Sequence, residues 1–519
     1  MPKNLEHSSS EKRHWVRITR ACNNRCMFCL DHDSLDGAIV GRDLIHEDLQ
    51  LGIGRCARRV VISGGEPTIH PDFVDIVRES SAMGYTWVQT ITNGRMFCYG
   101  NFLESAVAAG LKEVTFSIHG HTSEVFERLT GVKGSFKQTI AGLKNALNTR
   151  GLVVSVDIVI NALNCNTLSE IVAFYHQLGV TEFDLLYPVP FGAAWRNRDQ
   201  LLVEPEQIMP ELHKTLAMGA SHGLTFWTNR VPPALLEGFE GYIPSPKKLH
   251  DEVFARQEMF LSFLSAGKEP PCHGARCAHC HMTDFCAMLE RLRAAHSDAE
   301  PGAFLLTAES IPLLEYVDPA RVRTLAADSA QTAAHPAVQA FIAKHQIPFT
   351  VVFHRIPAAD EFPHAPGMHA AIAVNKHTAP LLVSHGVPDA HGAPVSFITA
   401  NYPDRASCRA SAISPQSFFK QFSHAHGMPP AGVYDTAPCL SNAPYSRLRA
   451  LPLCVAVKQP DWDLGDIVNH FISREYYSHS LRCRTCAEFQ NCPGLHINFA
   501  RALGFEQAGP RTELCTFPQ

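Results

Sequence analysis

Six apolar, β-rich runs alternate with amphipathic stretches between residues 14 and 225, and this alternation constrains the fold more than any other feature. The runs are HWVRITR, RVVIS, TWVQTIT, EVTFSI, VVSVDIVI and EFDLLY. Between them apolar residues recur at helical spacing, and several of these stretches end in Gly, as helices often do. Apolar strands separated by helices predict a parallel sheet with right-handed crossovers. Six such units predict a partial (βα)6 TIM-type barrel whose functional side chains lie in the loops after the strands.

The remainder of the chain has other patterns, and 519 residues exceed what one hydrophobic core usually holds. Pro-rich connectors and a Cys/His-rich segment follow the barrel, then short strands such as AAIAVNK, then a second Cys-rich region. The predicted fold class is α/β, with an α+β insertion and a Cys-rich C-terminal iron–sulfur domain. The predicted divisions are a polar N-terminal arm (1–13), the barrel (14–225), a linker with a cluster-binding segment (226–300), the insertion (301–434) and the C-terminal domain (435–519).

Composition limits the class of protein. The chain is 45% apolar and 18% charged, which is ordinary for a globular protein. Its polar opening lacks the apolar centre of a signal peptide, and no run approaches the roughly 20 apolar residues that cross a bilayer. We therefore expect a cytoplasmic protein with no membrane partner. A formal net charge of −5 gives no domain-wide positive field, which argues against nucleic acid as a partner.

The chain has 17 cysteines, and in the cytosol thiols stay reduced, so metal sites are a better prediction than disulfides. Cys22, Cys26 and Cys29 follow the first strand directly and therefore lie in the first βα loop. Three thiolates can bind three irons of a cubane and leave the fourth iron open to a ligand. Zinc is the alternative for such a set. The isolated cysteines are predicted to be small buried hydrophobes: Cys56, Cys98, Cys165 and Cys408.

The sequence SGGEPT follows the second strand and supplies Gly64, Gly65, Glu66 and Pro67. Glycines let a backbone approach a ligand closely, and the Glu66 carboxylate offers acceptors to an ammonium group. A merely structural turn is the alternative.

Together, C-x3-C-x2-C with Phe28 before the last cysteine and the adjacent GGEP turn resemble the signature of the radical S-adenosylmethionine (SAM) superfamily. The resemblance implies a 4Fe-4S cluster whose open iron binds SAM, and an electron that breaks the S–C5′ bond to give a 5′-deoxyadenosyl radical. It also implies a flavodoxin- or ferredoxin-type electron donor, and a GGEP turn that holds the amino group of SAM. Further implied SAM contacts are Thr92, Asn93, Ser117, His119 and Asn161. Strand capping is the alternative for Ser117 and Asn161, and a solvated loop histidine for His119.

The spacing C-x2-C-x5-C occurs near the C-terminus and is followed by one more cysteine. Together they resemble the outer auxiliary 4Fe-4S site of SPASM domains. The implied ligands are Cys483, Cys486, Cys492 and Cys515. Cys439 and Cys454 resemble the part that ligates the inner auxiliary cluster. His496 stands where the family motif has another cysteine, so either it replaces a thiolate or the inner cluster is lost or rebuilt.

A third set of four cysteines lies outside the usual SPASM layout: Cys272, Cys277, Cys280 and Cys286. It predicts another 4Fe-4S cluster, with a structural zinc as the competitor because histidines stand next to a short C-x2-C pair.

Enzymes with this combination mostly abstract hydrogen from a peptide or protein side chain, with auxiliary clusters in electron transfer. The resemblance thus implies a radical SAM oxidoreductase acting as a maturase. The alternative is a radical SAM enzyme of small-molecule cofactor biosynthesis. A non-catalytic iron–sulfur sensor is a third possibility, against which the intact GGEP turn argues.

Overall fold

The structure is a computed structural model that describes residues 13–297, 301–358, 361, 368–390, 394–427, 432–441, 443, 451–457 and 461–513. The chain divides into two units. The first comprises residues up to Ser245 together with Cys272–His281, and the second comprises Pro246–Pro271 and the chain from Met282 onward. None of the described helices is long and apolar enough to cross a membrane.

The first unit is built on a parallel sheet of seven strands whose spatial order follows the chain, β1 to β7. This confirms the predicted α/β partial barrel. The strands are β1 Arg13–Thr19, β2 Arg59–Gly64, β3 Trp87–Thr92, β4 Leu111–Ser117, β5 Val153–Val159, β6 Glu182–Leu186 and β7 Thr225–Asn229.

The predicted barrel has six strands and ends at residue 225, whereas the structure adds β7 at that point. β7 alternates half-buried and buried residues over only five positions, so its apolar pattern is short. Its parallel pairing with β6 defines it as a strand of the sheet.

Helices connect these strands in the expected alternation. They are α1 Arg42–Gly54, α2 Phe73–Ala82, α3 Gly100–Ala108, α4 Ser123–Thr130, α5 Ser135–Leu147, α6 Leu168–Gln177, α7 Gly192–Arg196, α8 Arg198–Leu201 and α9 Pro205–His222.

The two faces of the first sheet differ in polarity because side chains alternate along each strand. One face is apolar and buried, as Val114 and Phe116 in β4 and Ile158 in β5 illustrate. The other face carries hydrogen-bonded polar groups, including Gln89, which donates to Thr115 at 3.0 Å. The polar face therefore presents hydrogen-bonding side chains, and the apolar face contributes to the hydrophobic core.

The second unit contains another seven-stranded parallel sheet, in the order β13-β12-β11-β10-β9-β8-β14. Its strands are β8 Gly302–Leu306, β9 Val322–Ala327, β10 Phe349–Phe353, β11 Met368–Val374, β12 Val395–Thr399, β13 Val433–Tyr434 and β14 Leu451–Pro452. The predicted α+β insertion at 301–434 is therefore wrong in class, because every strand pair in this sheet is parallel. Its predicted end at residue 434 is also wrong, because β14 pairs with β8. Pairing between strands distant in sequence sets this arrangement, and short runs interrupted by Pro- and His-rich connectors do not reveal it.

A short antiparallel pair completes the described strands of the second unit, β15 Tyr477–Ser478 with β16 Leu495–His496. Its helices are α10 Leu249–Phe254, α11 Gln257–Ala266, α12 Thr283–Ser297, α13 Ala330–Ala333, α14 Pro336–His345, α15 Thr378–His385, α16 Arg405–Ser411, α17 Pro415–His426, α18 Pro438–Ser441, α19 Leu464–His470 and α20 Ile497–Leu503.

Candidate cofactor and cluster sites

The cysteine loop, residues 20–30, leaves the carboxyl end of β1 and carries the three predicted ligands of the first cluster. Cys22 and Cys29 both act electrostatically on Cys26, so the three thiols are close neighbours. The backbone N–H of Asn24 donates to Sγ of Cys22 at 3.4 Å. The structure thus brings together the thiols that the sequence predicts to act together.

The last turn of α4 anchors the cysteine loop. Arg25 and Met27 donate their backbone N–H groups to the carbonyls of Thr130 at 2.8 Å and Leu129 at 2.9 Å. Terminal carbonyls of a helix have no partner within the helix, and here the loop supplies donors. Gly131 ends α4 with φ of 67°, and a Cβ there would lie 2.7 Å from the carbonyl oxygen of Arg25. Helix and loop therefore approach too closely for a side chain.

Arg95 holds the same loop from the carboxyl end of β3, a role that the sequence predictions missed. Its Nη1 donates to Oδ1 of Asn24 at 3.0 Å and to the carbonyl of Asn23, while Nε donates to Gln138 at 2.7 Å. Its charge also acts on Cys22, favouring the thiolate. Its position three residues after Thr92, the last residue of β3, is the signal that could have identified it.

Gly64 and Gly65 bring the backbone of the GGEP turn against the start of the cysteine loop. The N–H groups of Gly65 and Glu66 donate to the carbonyls of Thr19 and Ala21, both at 2.8 Å. A Cβ on Gly64 would lie 2.4 Å from the Thr19 oxygen, and one on Gly65 would lie 2.2 Å from the Ala21 oxygen. These glycines thus permit close contact between two loops. Pro67 begins the short 3-10 turn that follows.

Glu66 is 1% exposed, and its carboxylate ties the second and third βα loops together. It accepts hydrogen bonds from the Thr68 backbone at 3.0 Å and from the Thr68 hydroxyl. It also accepts from the Thr92 hydroxyl at 2.6 Å and the Asn93 backbone at 2.7 Å. Burial raises the pKa of Glu66, and these donors oppose the rise. Its predicted contact with an ammonium group stays a prediction.

Asn93 extends this network to the cysteine loop, because its Nδ2 donates to Oδ1 of Asn23 at 2.6 Å. Its own carbonyl accepts from the hydroxyl of Thr139 in α5 at 2.9 Å. Thr92 and Asn93 therefore lie beside the predicted cofactor site, as their position after β3 predicts.

Three other predicted SAM contacts have structural partners. Ser117 donates to Oδ2 of Asp157 at 3.0 Å. His119 is buried and accepts from the Val159 backbone at 3.0 Å, so the solvated-loop alternative is wrong. Burial lowers the pKa of His119 to about 3, and its ring lies edge-on to Phe28 at 4.3 Å. Asn161 is fully buried and caps its turn by donating to Val159 and accepting from Leu163, which favours the capping alternative.

Asp157 and Asp184 form a carboxylate pair on the polar face, facing each other across β5 and β6. Burial and then the charge of Asp184 raise the pKa of Asp157 to about 7. Asn229 in β7 donates to Oδ2 of Asp184. Sequence reasoning missed both carboxylates, although a charged residue inside the apolar run VVSVDIVI is a detectable signal.

The cysteine loop fits an iron–sulfur cluster in its donor set. Burial raises the pKa of all three thiols, that of Cys22 to about 11. The free thiols are therefore protonated at neutral pH, and binding iron would release their protons. Among the described residues, no group of three His, Cys, Asp or Glu side chains is arranged to hold a single metal ion.

The C-terminal cysteines differ in exposure: Cys483 is buried, whereas Cys439, Cys454, Cys486 and Cys492 are partly buried. Burial raises the pKa of the Cys439 and Cys483 thiols, and it raises that of Cys454 to about 11. The predicted roles of these cysteines as ligands of an inner and an outer auxiliary cluster stay predictions. Cys515 lies outside the described residues.

His496 is buried in β16, where its Nε2 lies 3.1 Å from the carbonyl of Ile472 and its ring stacks edge-on to Tyr477. Its predicted place in an inner cluster stays a prediction.

The predicted set at 272–286 spans the division between the units. Cys272, Cys277 and Cys280 belong to the first unit, whereas Cys286 lies in α12 of the second. Within the first unit, Cys280 donates its backbone N–H to Cys277 at 3.1 Å. Of the isolated cysteines, Cys165 and Cys408 are buried as predicted, whereas Cys98 is only partly buried and Cys56 is exposed. Cys56 has φ of 60° in the turn after α1.

Residues 16–175 match the family model described as the radical SAM superfamily. A probable GTP 3′,8-cyclase of Saccharolobus solfataricus is 31% identical over 195 residues, covering 36% of this chain and 61% of that protein. A probable GTP 3′,8-cyclase of Metallosphaera sedula is 29% identical, covering 37% and 61%. The chain thus spans about three fifths of the length of these relatives.

Among solved structures, SuiB of Streptococcus suis bound to its precursor peptide SuiA gives a TM-score of 0.36 at 16% identity. That alignment covers 43% of this chain and 50% of SuiB. Coproporphyrinogen III oxidase of Escherichia coli, described as a radical SAM enzyme, gives a TM-score of 0.32 at 16% identity, covering 42% and 55%.

Proposed function

With residues 16–175 recognised as a radical SAM domain, we propose that this chain cleaves SAM reductively and abstracts hydrogen from a substrate held against the polar face of the first sheet. The observation that carries this proposal is the cysteine loop itself, whose three neighbouring thiols adjoin the Gly64–Glu66 turn. When bound there, a 4Fe-4S cluster supplies the electron that splits SAM.

The residues of the chain itself would position the cluster. Cys22, Cys26 and Cys29 would bind three irons and leave one open. Arg95 and the last turn of α4 hold the loop that carries these thiols. Because that loop is fixed from two sides, it would hold the three thiolates in a defined position for a cluster.

The GGEP turn would hold the amino group of SAM, with Thr92 and Asn93 beside it. The buried Glu66 fixes the geometry of this wall by accepting from both of those residues. Ser117 and Asp157, hydrogen-bonded to each other, lie at the carboxyl ends of the neighbouring strands and provide polar contacts on the substrate side.

A peptide or protein side chain is our first proposal for the substrate. Its support is the C-terminal cysteine group, which resembles the auxiliary site of maturases and would serve electron transfer. A small molecule is the second proposal, supported by the sequence match to probable GTP 3′,8-cyclases.

Release of 5′-deoxyadenosine tests the proposed chemistry. Anaerobically reconstituted protein with dithionite and SAM should form 5′-deoxyadenosine and methionine, quantified by liquid chromatography. Cys26→Ala should reduce this product to background, because the cluster loses one of its three thiolates. Cys56→Ser, at an exposed position, is the matched control and should retain the activity of the wild type. A wild type that cleaves no SAM would contradict the proposal.

The substrate class is tested separately. Co-expression with a candidate precursor peptide should change the mass of the peptide in a manner that depends on Cys26. Incubation with GTP and SAM should instead yield a nucleotide product if the second proposal is correct. GTP-dependent stimulation of 5′-deoxyadenosine release without any peptide product would favour the small-molecule activity.

A further inference from the structure

Four exposed cationic side chains lie on the three segments that meet at the cysteine loop. They are Arg25, Arg128, Lys133 and Lys137, and together they are called the basic patch. Arg25 belongs to the cysteine loop and directly precedes Cys26. The other three lie in the last turn of α4, in the α4–α5 connection and in the first turn of α5.

Hydrogen bonds and close packing bring these segments together. The backbone N–H of Arg25 donates to the carbonyl of Thr130 at 2.8 Å. A Cβ on Gly131 would lie 3.2 Å from the Cβ of Arg25. The hydroxyls of Thr130 and Ser135 lie 2.9 Å apart and join the end of α4 to the start of α5. Every cation of the basic patch is within two residues of one of these contacts, so the four charges form one surface.

Ion pairing separates the basic patch from the other cations near the cysteine loop. Arg17 pairs with Asp31 at 2.6 Å, and Arg20 pairs with Asp36 at 2.8 Å. Within the part of the chain that the structure describes, no side chain of the basic patch forms an ion pair or a hydrogen bond. The charges of the patch are therefore not neutralised by specific partners among these residues.

The patch differs in sign from the chain that carries it. The formal net charge of the chain is −5, which repels a negatively charged protein. Glu124 and Glu127 precede Arg128 in α4, but the four cations of the patch outnumber these two carboxylates. Complementary charge at one surface steers an encounter and fixes its orientation. The basic patch therefore fits a partner with an acidic surface.

The position of the patch indicates what such a partner would deliver. Arg25 is the neighbour of Cys26, a predicted ligand of the SAM-binding cluster. A cluster that has given its electron to SAM needs another electron before it can react again. Electron transfer slows steeply with distance, so a carrier has to place its reduced group close to the cluster. Docking at the basic patch would bring a carrier to the cysteine loop.

We propose that the basic patch is the docking surface for a small acidic protein that carries a low-potential electron. One electron leaves the reduced group of the carrier and enters the cluster, which passes from its oxidised to its reduced state, and no covalent bond forms or breaks. Electron-transfer encounters bury little surface, so steering by a few exposed charges carries much of the specificity. The inference rests on the proposed function, because it takes the cysteine loop to hold a cluster that SAM cleavage oxidises.

Reduction by a protein and reduction by a small molecule separate docking from chemistry. With reduced flavodoxin as the electron source for the reconstituted holoenzyme, Lys133→Glu/Lys137→Glu should raise the flavodoxin concentration that half-saturates 5′-deoxyadenosine release by about tenfold at low salt. With reduced methyl viologen, a small cation, this variant should match the wild type. Lys144→Glu/Arg150→Glu changes two exposed cations near the other end of α5 by the same charge, and this matched control should behave as the wild type with both reductants.

A binding measurement provides a readout without turnover. The Kd for oxidised flavodoxin, measured by calorimetry without SAM, should rise in Lys133→Glu/Lys137→Glu, and the difference from the wild type should shrink as salt is added. An unchanged Kd and half-saturation in this variant would overturn the inference. So would an equal loss in Lys144→Glu/Arg150→Glu, or loss of RNA binding with flavodoxin binding intact. A wild type that releases no 5′-deoxyadenosine with methyl viologen would contradict the proposed function instead, and the Kd values would still decide the docking.

Discussion

Asp157 shows how a carboxylate on the polar face of the first sheet can cost stability. It is half-buried near the carboxyl end of β5, opposite Asp184, and receives one hydrogen bond from Ser117. Burial raises the pKa of Asp157 to about 7, from an ordinary value of 3.8. Between these two values the unfolded chain loses a proton that the folded protein keeps, so the free energy of unfolding falls as the pH rises.

Asp157→Asn should therefore stabilise the protein increasingly from pH 4 to pH 8. Each pKa unit corresponds to about 1.4 kcal/mol, so the pH-dependent gain is at most about 4 kcal/mol and levels off above pH 7. Urea denaturation across this range measures it. Asp199→Asn, at an exposed position, is the control and should show little pH-dependent difference. An Asp157→Asn effect that is constant with pH would contradict this account.

Glu66 combines a predicted contact with SAM and a structural role, because its carboxylate also joins two loops of the protein. The GGEP motif predicts a ligand for an ammonium group, and the structure adds four donors from the protein itself. A variant of Glu66 would therefore disturb both the loops and the predicted SAM contact. Stability and SAM affinity have to be measured together for any such variant.

At the scale of elements, the connection between α4 and α5 supports the cysteine loop and contains two glycines with left-handed backbones. Gly131 has φ of 67° and lies against the Arg25 carbonyl, whereas Gly134 has φ of 82° and has open space around it. The two positions share a conformation that L-residues adopt at a cost. They differ in whether a Cβ atom would also clash with the cysteine loop, which happens only at Gly131.

Gly131→Ala should therefore reduce SAM cleavage substantially, while Gly134→Ala should affect mainly stability, by about 1 kcal/mol. The physical reason is that a Cβ at Gly131 would displace Arg25 and with it the loop between Cys22 and Cys29. Rates of 5′-deoxyadenosine release and thermal denaturation of both variants separate the two effects. Equal loss of activity in the two variants would mean that backbone strain alone is responsible.

At the scale of the whole molecule, the described part of the chain contains two parallel sheets of seven strands each, and the strands of the first follow chain order. Only the first carries a radical SAM match, and the second accounts for most of the region that the sequence left unassigned. The carboxyl ends of parallel strands are where functional loops usually gather. The second sheet is thus a framework of the same general kind, not a collection of short strands.

Total metal content tests the sequence prediction for the segment that begins at Cys272. If that segment holds a cluster beside the other two, reconstituted protein should contain on the order of twelve irons, four per cubane. Cys277→Ser/Cys280→Ser should then lose about four irons, and Cys56→Ser should lose none. About one equivalent of zinc that survives oxidation and disappears in the double variant would refute the cluster at this segment.

The sequence by itself determined six of the seven strands of the first sheet, their parallel order and the cysteine loop, because periodic apolar patterns and tight cysteine spacing are local signals. The resemblance to the radical SAM family implied Thr92 and Asn93 as SAM contacts, and both donate to Glu66 of the GGEP turn. These features depend on neighbours in sequence or on the regular geometry of βα units.

Only the tertiary structure decided what depends on contacts between distant segments. Arg95 reaches back to Asn24, and Gly131 lies against Arg25. The parallel pairing of the second sheet is also a long-range property, hidden by short strands and long connectors. Spacing along the chain reports which side chains are available, whereas packing decides which of them share a dehydrated space and thereby acquire a common chemistry.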